Sequence, residues 1–159
     1  MMFDTKKYID PIEIYKDLVF SKEGIAGYKK YFDILLNKPD NAAVLFHCTQ
    51  GKDRTGVAAM LLLTALGVDR GTVIADYLLT NVACEPILNK IRTEVPKTVN
   101  DPKVIEFALF FESVNEKLAN VLFDGVEKEY GSVNGYLQKE IGITKADIER
   151  LNELYLEKQ

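Results

Sequence analysis

The chain is poor in the residues from which metal centres and disulfide frameworks are built, with two cysteines and a single histidine. Cys84 and His47 offer no paired ligand spacing around Cys48, so no metal is expected, and no cofactor is called for. So few cysteines fit a reducing compartment; Cys84 reads as an inert packed thiol, with a redox partner for Cys48 as the other reading. Excess charge is scarce as well: a net charge of −4 argues against nucleic acid as a partner and against general attraction to anionic membranes, while one local basic pocket is compatible with it. No apolar run reaches transmembrane length, so stable membrane insertion is not expected. Residues 1–7 lack the apolar core of a secretory signal, which makes the chain as given cytoplasmic in character, with export by a route without such a signal left open. Internal repeats and low-complexity runs are missing too.

What is present is a chain of 159 residues, 47% apolar and 28% charged, the composition of one domain over residues 1–159 that buries a single core. Most of it reads as helix. An amphipathic stretch over residues 21–36 carries Ile25, Tyr28, Phe32, Leu35 and Leu36 on one face, with Ser21 as its cap. A second runs over residues 69–79, and a segment opening at Cys84-Glu85-Pro86 ends near Arg92. After an irregular stretch over residues 96–102, a single helix is expected from Asp101-Pro102 to about Leu122, and two last helices follow Ser132 and Thr144. Strand signals are few: the apolar run Ala42-Ala43-Val44-Leu45-Phe46 reads as a buried strand, and Ile12-Glu13-Ile14-Tyr15 is at best a second.

The strand at about 42–47 leads into His47-Cys48-Thr49-Gln50-Gly51-Lys52-Asp53-Arg54-Thr55-Gly56, beyond which an apolar helix runs from Thr55 to Leu66 and is closed by Gly67. Strand end, tight loop and helix start therefore meet at Cys48. Backbone N–H groups in such a loop turn inward as an anion-binding nest, and the helix N-terminus adds free donors and the positive end of its dipole. A tetrahedral dianion fits there, cradled by Thr49, Gln50, Gly51, Lys52, Asp53 and Arg54. The same field favours the Cys48 thiolate, a nucleophile at neutral pH. Arg54 offers a planar fork for phosphate oxygens. The Thr55 hydroxyl serves as N-cap of the helix, as stabiliser of the sulfur when it leaves, or as both. His47, ending a strand, should point away from Cys48 and shape the loop together with Gly56 rather than act as a base. Asp53 reads equally as a participant in proton transfer and as a salt-bridging brace. A buried cysteine beside a histidine also has a plain reading as core packing, which the sixth-place arginine and the two flanking glycines make remote.

The pattern His-Cys, five residues, Arg, Thr resembles the cysteine-dependent protein tyrosine phosphatase superfamily. Its interior, Gly51 to Gly56, is similar to the bacterial branch of triple-specificity or phosphoinositide-type enzymes. Two further stretches look like that branch: Leu66-Gly67-Val68 with Asp76-Tyr77-Leu78-Leu79-Thr80-Asn81, and Tyr136-Leu137 through Gly142-Ile143-Thr144 to Leu151. The resemblance implies an α/β fold and hydrolysis of phosphate monoesters through a phosphocysteine. Its implied substrates are a phosphorylated protein (phosphotyrosine, or phosphoserine) or a phosphoinositide. It further implies that Asp53 shares in acid/base work, that Lys52 adds a second positive charge suited to polyanionic headgroups, and that helices within residues 82–123 form a lid.

The beginning of the chain departs from that family, whose members usually carry an N-terminal half of several strands and an upstream acid before the cysteine. Only 47 residues precede Cys48 here. One or two strands leave bare sheet edges. The expectation is therefore a domain lacking that N-terminal portion, prone to self-association or strand exchange. The alternative function is a catalytically incomplete phosphate-binding fragment that needs the missing half.

Overall fold

The computed structural model describes residues 10–157, so the segment 1–7 read for a signal lies outside the described residues. Among them there is no strand. Helix α1 spans Pro11–Phe20, α2 Lys22–Asn37, α3 Asp53–Ala65, α4 Arg70–Leu78 and α5 Thr80–Glu94. A short 3₁₀ turn, Val95–Lys97, leads towards α6 at Pro102–Glu112 and α7 at Glu116–Tyr130. Helix α8, Val133–Tyr136, continues into a π-turn at Leu137–Ile141, and α9 covers Lys145–Tyr155.

Local chemistry accounts for most of the boundaries. Asp10, Ser21, Asp69, Asp101, Asn115, Ser132 and Thr144 each accept a backbone N–H of the helix they precede. At Thr144 the bond is reciprocated by Asp147, a full capping box. Gly67, at φ +87°, turns the chain out of α3 in the left-handed region that disfavours a Cβ. The core is built by α1, α2, α3, α4, α7, α8 and α9 around Phe32, Leu61, Leu122, Phe123 and Tyr136, all buried. The Tyr136 hydroxyl donates to the Val19 carbonyl at 2.6 Å and ties the C-terminal helices to α1.

Four expectations need correction. Residues 42–48 are not a strand: the segment has no secondary structure, its side chains alternate between half-buried and exposed, and Leu45 is 91% exposed. It lies as a lone ribbon with no partner strand among the described residues, so the expected α/β class is replaced by an all-helical body. Residues 12–15 belong to α1, because four alternating residues suit either period and the start signal Asp10-Pro11 decides for helix. The helix expected up to Leu122 is two helices, broken where Val114 is buried and Asn115 caps α7. The Asn81 side chain closes that break, accepting from the Val114 N–H at 2.9 Å and donating to its carbonyl at 2.8 Å. Helix α5 also starts four residues before the Cys84 that was expected to open it, with Pro86 inside.

Helices α5 and α6 pack mainly on each other. Leu88 is the one residue of the pair that is buried. They stand as a hairpin beside α1.

Candidate active site

The lone ribbon delivers Cys48 to the N-terminal end of α3. That helix begins at Asp53, so Thr55 lies in its first turn and not at the N-cap as the sequence suggested. The N-cap position falls to Lys52, whose side chain makes no capping bond. The first N–H groups of α3 are thereby left for the loop. Gly51, at φ +73°, supplies the left-handed residue that bends the loop back on itself.

The sulfur collects those donors. Burial pushes the Cys48 thiol up, but the Thr55 hydroxyl and the N–H groups of Thr55, Gly51 and Gln50 gathered about the sulfur outweigh it. The thiol falls from 9.0 to about 6. Thr55 Oγ1 is buried and outside full hydrogen-bond geometry with any neighbour, so its effect on the sulfur is one of proximity, weaker than a formed bond. At neutral pH Cys48 is mostly thiolate.

Around it stand the other predicted residues. Arg54 is exposed and donates from Nη2 to Thr49 Oγ1 at 3.2 Å across the loop. His47 is exposed and its Nδ1 lies 3.2 Å from the Cys48 carbonyl oxygen, a contact with the loop backbone rather than with the sulfur. Lys52 is the one buried charged residue among the described residues, 5% exposed, its Nζ 3.1 Å from Asp53 Oδ1 and 5.6 Å from the centre of the Phe111 ring. Gln50 donates to Glu112 Oε2 at 2.8 Å, so the loop touches the end of α6. Gly56 admits the Tyr77 ring: a Cβ there would sit 2.7 Å from Tyr77 Cε2. Cys84 is a free thiol on α5, half-buried.

The sequence reading missed the tyrosines. Tyr15 donates its hydroxyl to Asp53 Oδ1 at 2.7 Å and is paired with the Tyr77 hydroxyl. Burial, then the neighbouring tyrosine, holds Tyr15 far above its ordinary range, so it stays a neutral donor. Asp53 thus accepts from both Tyr15 and Lys52. Buried Tyr28, on α2, lies in the field of both Arg54 and Cys48. Tyr77 stands in one of the stretches that carried the family resemblance, and that was the signal available for it; Tyr15 was hidden in a segment read as a strand.

Two cavities flank Arg54. One, of about 670 Å³, lies towards α2 with Tyr28, Tyr31, Phe46 and His47 on its walls. The other, of about 920 Å³, lies between α1 and the α5–α6 hairpin. Among the described residues no cluster of His, Cys, Asp and Glu is suited to a metal ion.

A helical body thus brings Cys48, the N–H groups of Gln50, Gly51 and Thr55, and Arg54 together at one helix start. The chain belongs to the tyrosine phosphatase family, whose sequence pattern matches residues 4–157. It is 33% identical over 121 residues to the triple specificity protein phosphatase PtpB of Mycobacterium tuberculosis, covering 71% of this chain and 44% of that protein. A Cupriavidus necator protein provisionally named a tyrosine-protein phosphatase is 30% identical over 138 residues, 86% of this chain and 47% of its own length. A tyrosine-protein phosphatase of Nostoc commune is 29% identical over 126 residues, 78% of this chain and 42% of its own length. The chain thus spans under half the length of these curated relatives.

Proposed function

We propose that this chain hydrolyses phosphate monoesters through a phosphocysteine on Cys48. The observation that carries the reading is the Cys48 thiol lowered to about 6 among converging N–H donors, beside Arg54. In the first step Cys48 Sγ attacks phosphorus, the S–P bond forms as the ester P–O bond breaks, and the leaving oxygen takes a proton. Loop N–H groups over residues 49–54 and the Arg54 fork hold the three remaining oxygens. In the second step water attacks phosphorus, the S–P bond breaks, and inorganic phosphate departs while Thr55 stabilises the returning thiolate. Asp53 is assigned the proton at both steps, given to the leaving oxygen and regained from water. Lys52 acts through Asp53, its ion-pair partner, and through its charge beneath the loop. Phosphotyrosine, phosphoserine and phosphoinositide esters are the proposed substrates, a breadth supported by the name of the Mycobacterium tuberculosis relative.

Turnover of p-nitrophenyl phosphate tests the reading. It is expected of this chain and absent in Cys48→Ser, with a phosphate adduct on Cys48 seen by mass spectrometry after acid quench. Wild-type turnover in Cys48→Ser would sink the mechanism.

A second reading is favoured by the ribbon at residues 42–46, which has no partner strand among the described residues: the chain binds phosphate but turns over only when a further strand is supplied beside it. Activity that appears on adding a sheet-forming polypeptide, and not before, would select this reading.

A further inference from the structure

The larger cavity is a groove that starts at the phosphate loop and runs away from it. Its near end is formed by Lys52, Asp53 and Arg54, and its walls by Ile14 and Leu18 of α1, Ile87 and Ile91 of α5, and Phe107 and Phe110 of α6. Phe111 stacks on Phe107 at the edge, ring centres 6.2 Å apart, and is 53% exposed, so the rim is apolar as well. At about 920 Å³ the groove lies at the upper end of the range for small-molecule sites. One end therefore carries the Arg54 fork beside the Lys52–Asp53 ion pair, on the same loop as Cys48, and the rest suits hydrocarbon.

From this continuity we infer that the groove receives a single hydrocarbon chain, and that the site acts on monoesters of long-chain alcohols, alkyl or prenyl phosphates, with the phosphate on Cys48 and the chain between α1 and the hairpin. The inference rests on the phosphatase reading and, within it, ranks alkyl and prenyl esters ahead of the phosphotyrosine, phosphoserine and phosphoinositide esters named above. Beyond Tyr15, Lys52, Asp53 and Arg54 at the loop end, the polar residues of the lining are Glu112 and Ser113, so a phosphopeptide backbone or an inositol ring would bring more amide or hydroxyl groups than these walls pair, and unpaired polar groups are costly to bury. A methylene chain loses nothing there and gains by leaving water. The bond changes are those already given: S–P forms as the ester P–O breaks, the alcohol departs with the proton from Asp53, and water then releases phosphate and restores the thiolate.

The test is a series of monoalkyl phosphates from ethyl to decyl, each below its micelle concentration, beside p-nitrophenyl phosphate, a phosphotyrosyl peptide and a soluble inositol phosphate. KM is expected to fall roughly threefold to fourfold per added methylene until the groove is full, as burial of a CH₂ group predicts. Ile91→Asn should flatten that slope, lowering the ratio of decyl to ethyl kcat/KM. The same slope is expected in Kd by calorimetry with Cys48→Ser, so the inference is decided even where turnover is absent. A flat series in both measurements, or a peptide or inositol phosphate bound more tightly than the decyl ester, overturns it. Loss of p-nitrophenyl phosphate turnover alone would strike the phosphatase reading and leave this slope standing.

Discussion

At the scale of single residues the site is a competition over one proton and one carboxylate. Because Cys48 is lowered to about 6, its alkylation by iodoacetamide should rise with pH, reach half its limit near pH 6 and be flat above pH 7.5. The sign follows from the thiolate being the reactive form and the form that the loop N–H groups favour. Thr55→Val keeps the shape but removes a donor, so its half-point should move up towards 9.0, the value from which the loop brings the thiol down. An unmoved half-point would leave the backbone groups as the sole cause. Asp53 is held by Tyr15 and Lys52 and has two possible duties, brace or proton carrier. As a carrier it matters most when the leaving oxygen is basic. Asp53→Asn should therefore lose about a hundredfold or more on phenyl phosphate and far less on p-nitrophenyl phosphate, in steady-state assays on both. Equal losses would assign it to bracing.

At the scale of elements the loop is shaped by what lies behind it. The Tyr77 ring of α4 presses on α3 where Gly56 has no side chain, and Tyr77 is buried at 4% exposure with no room to swing. Gly56→Ala should displace that ring from Tyr15, costing roughly 1–3 kcal/mol of stability as read from a urea midpoint. Turnover should fall further than stability explains, since Tyr15 also holds Asp53. Much of this was legible in sequence and some was not. The caps at Ser21, Asp69, Ser132 and Thr144 were readable because each is a local bond between near neighbours. Cys48 and Arg54 were readable because a loop of fixed length brings them to one helix start. The break at Val114 was not, because it depends on Asn81, far away in sequence. The Tyr15–Asp53 bond joins residues 38 apart and left no periodic trace. The run 42–46 has the composition of a strand, but a strand also needs a neighbour, and composition does not say whether one is there.

At the scale of the whole molecule the body is a helical shell with one extended ribbon on its surface. Val44 and Phe46 pack against the core while Leu45 faces out. Among the described backbone hydrogen bonds outside helices, the ribbon contributes one at its start, from the Ala42 N–H to the Pro39 carbonyl. Amides 43–46 should therefore exchange with solvent at close to free-peptide rates in dilute solution, while Val57 and Leu61 of α3 exchange slowly. Hydrogen–deuterium exchange checks this directly. Protection of 43–46 that grows with protein concentration would be strand pairing between copies, and strong protection at all dilutions would mean the ribbon is already paired.

The exposure of Leu45 also sets the way this molecule is expected to leave solution. Residues 42–46 are five apolar side chains without a charge, lying along a helical body, and such windows stack into cross-β ladders. The residues just before them, Lys38, Pro39 and Asp40, are of the kind that interrupts such stacking, one by its ring and two by charge. Downstream the run meets the Cys48 loop, where no charged residue or proline stands before Lys52. Precipitation would then begin from folded molecules and not from unfolded ones, starting at the segment that leads into Cys48, so that aggregates bury that thiol before they lose their helices.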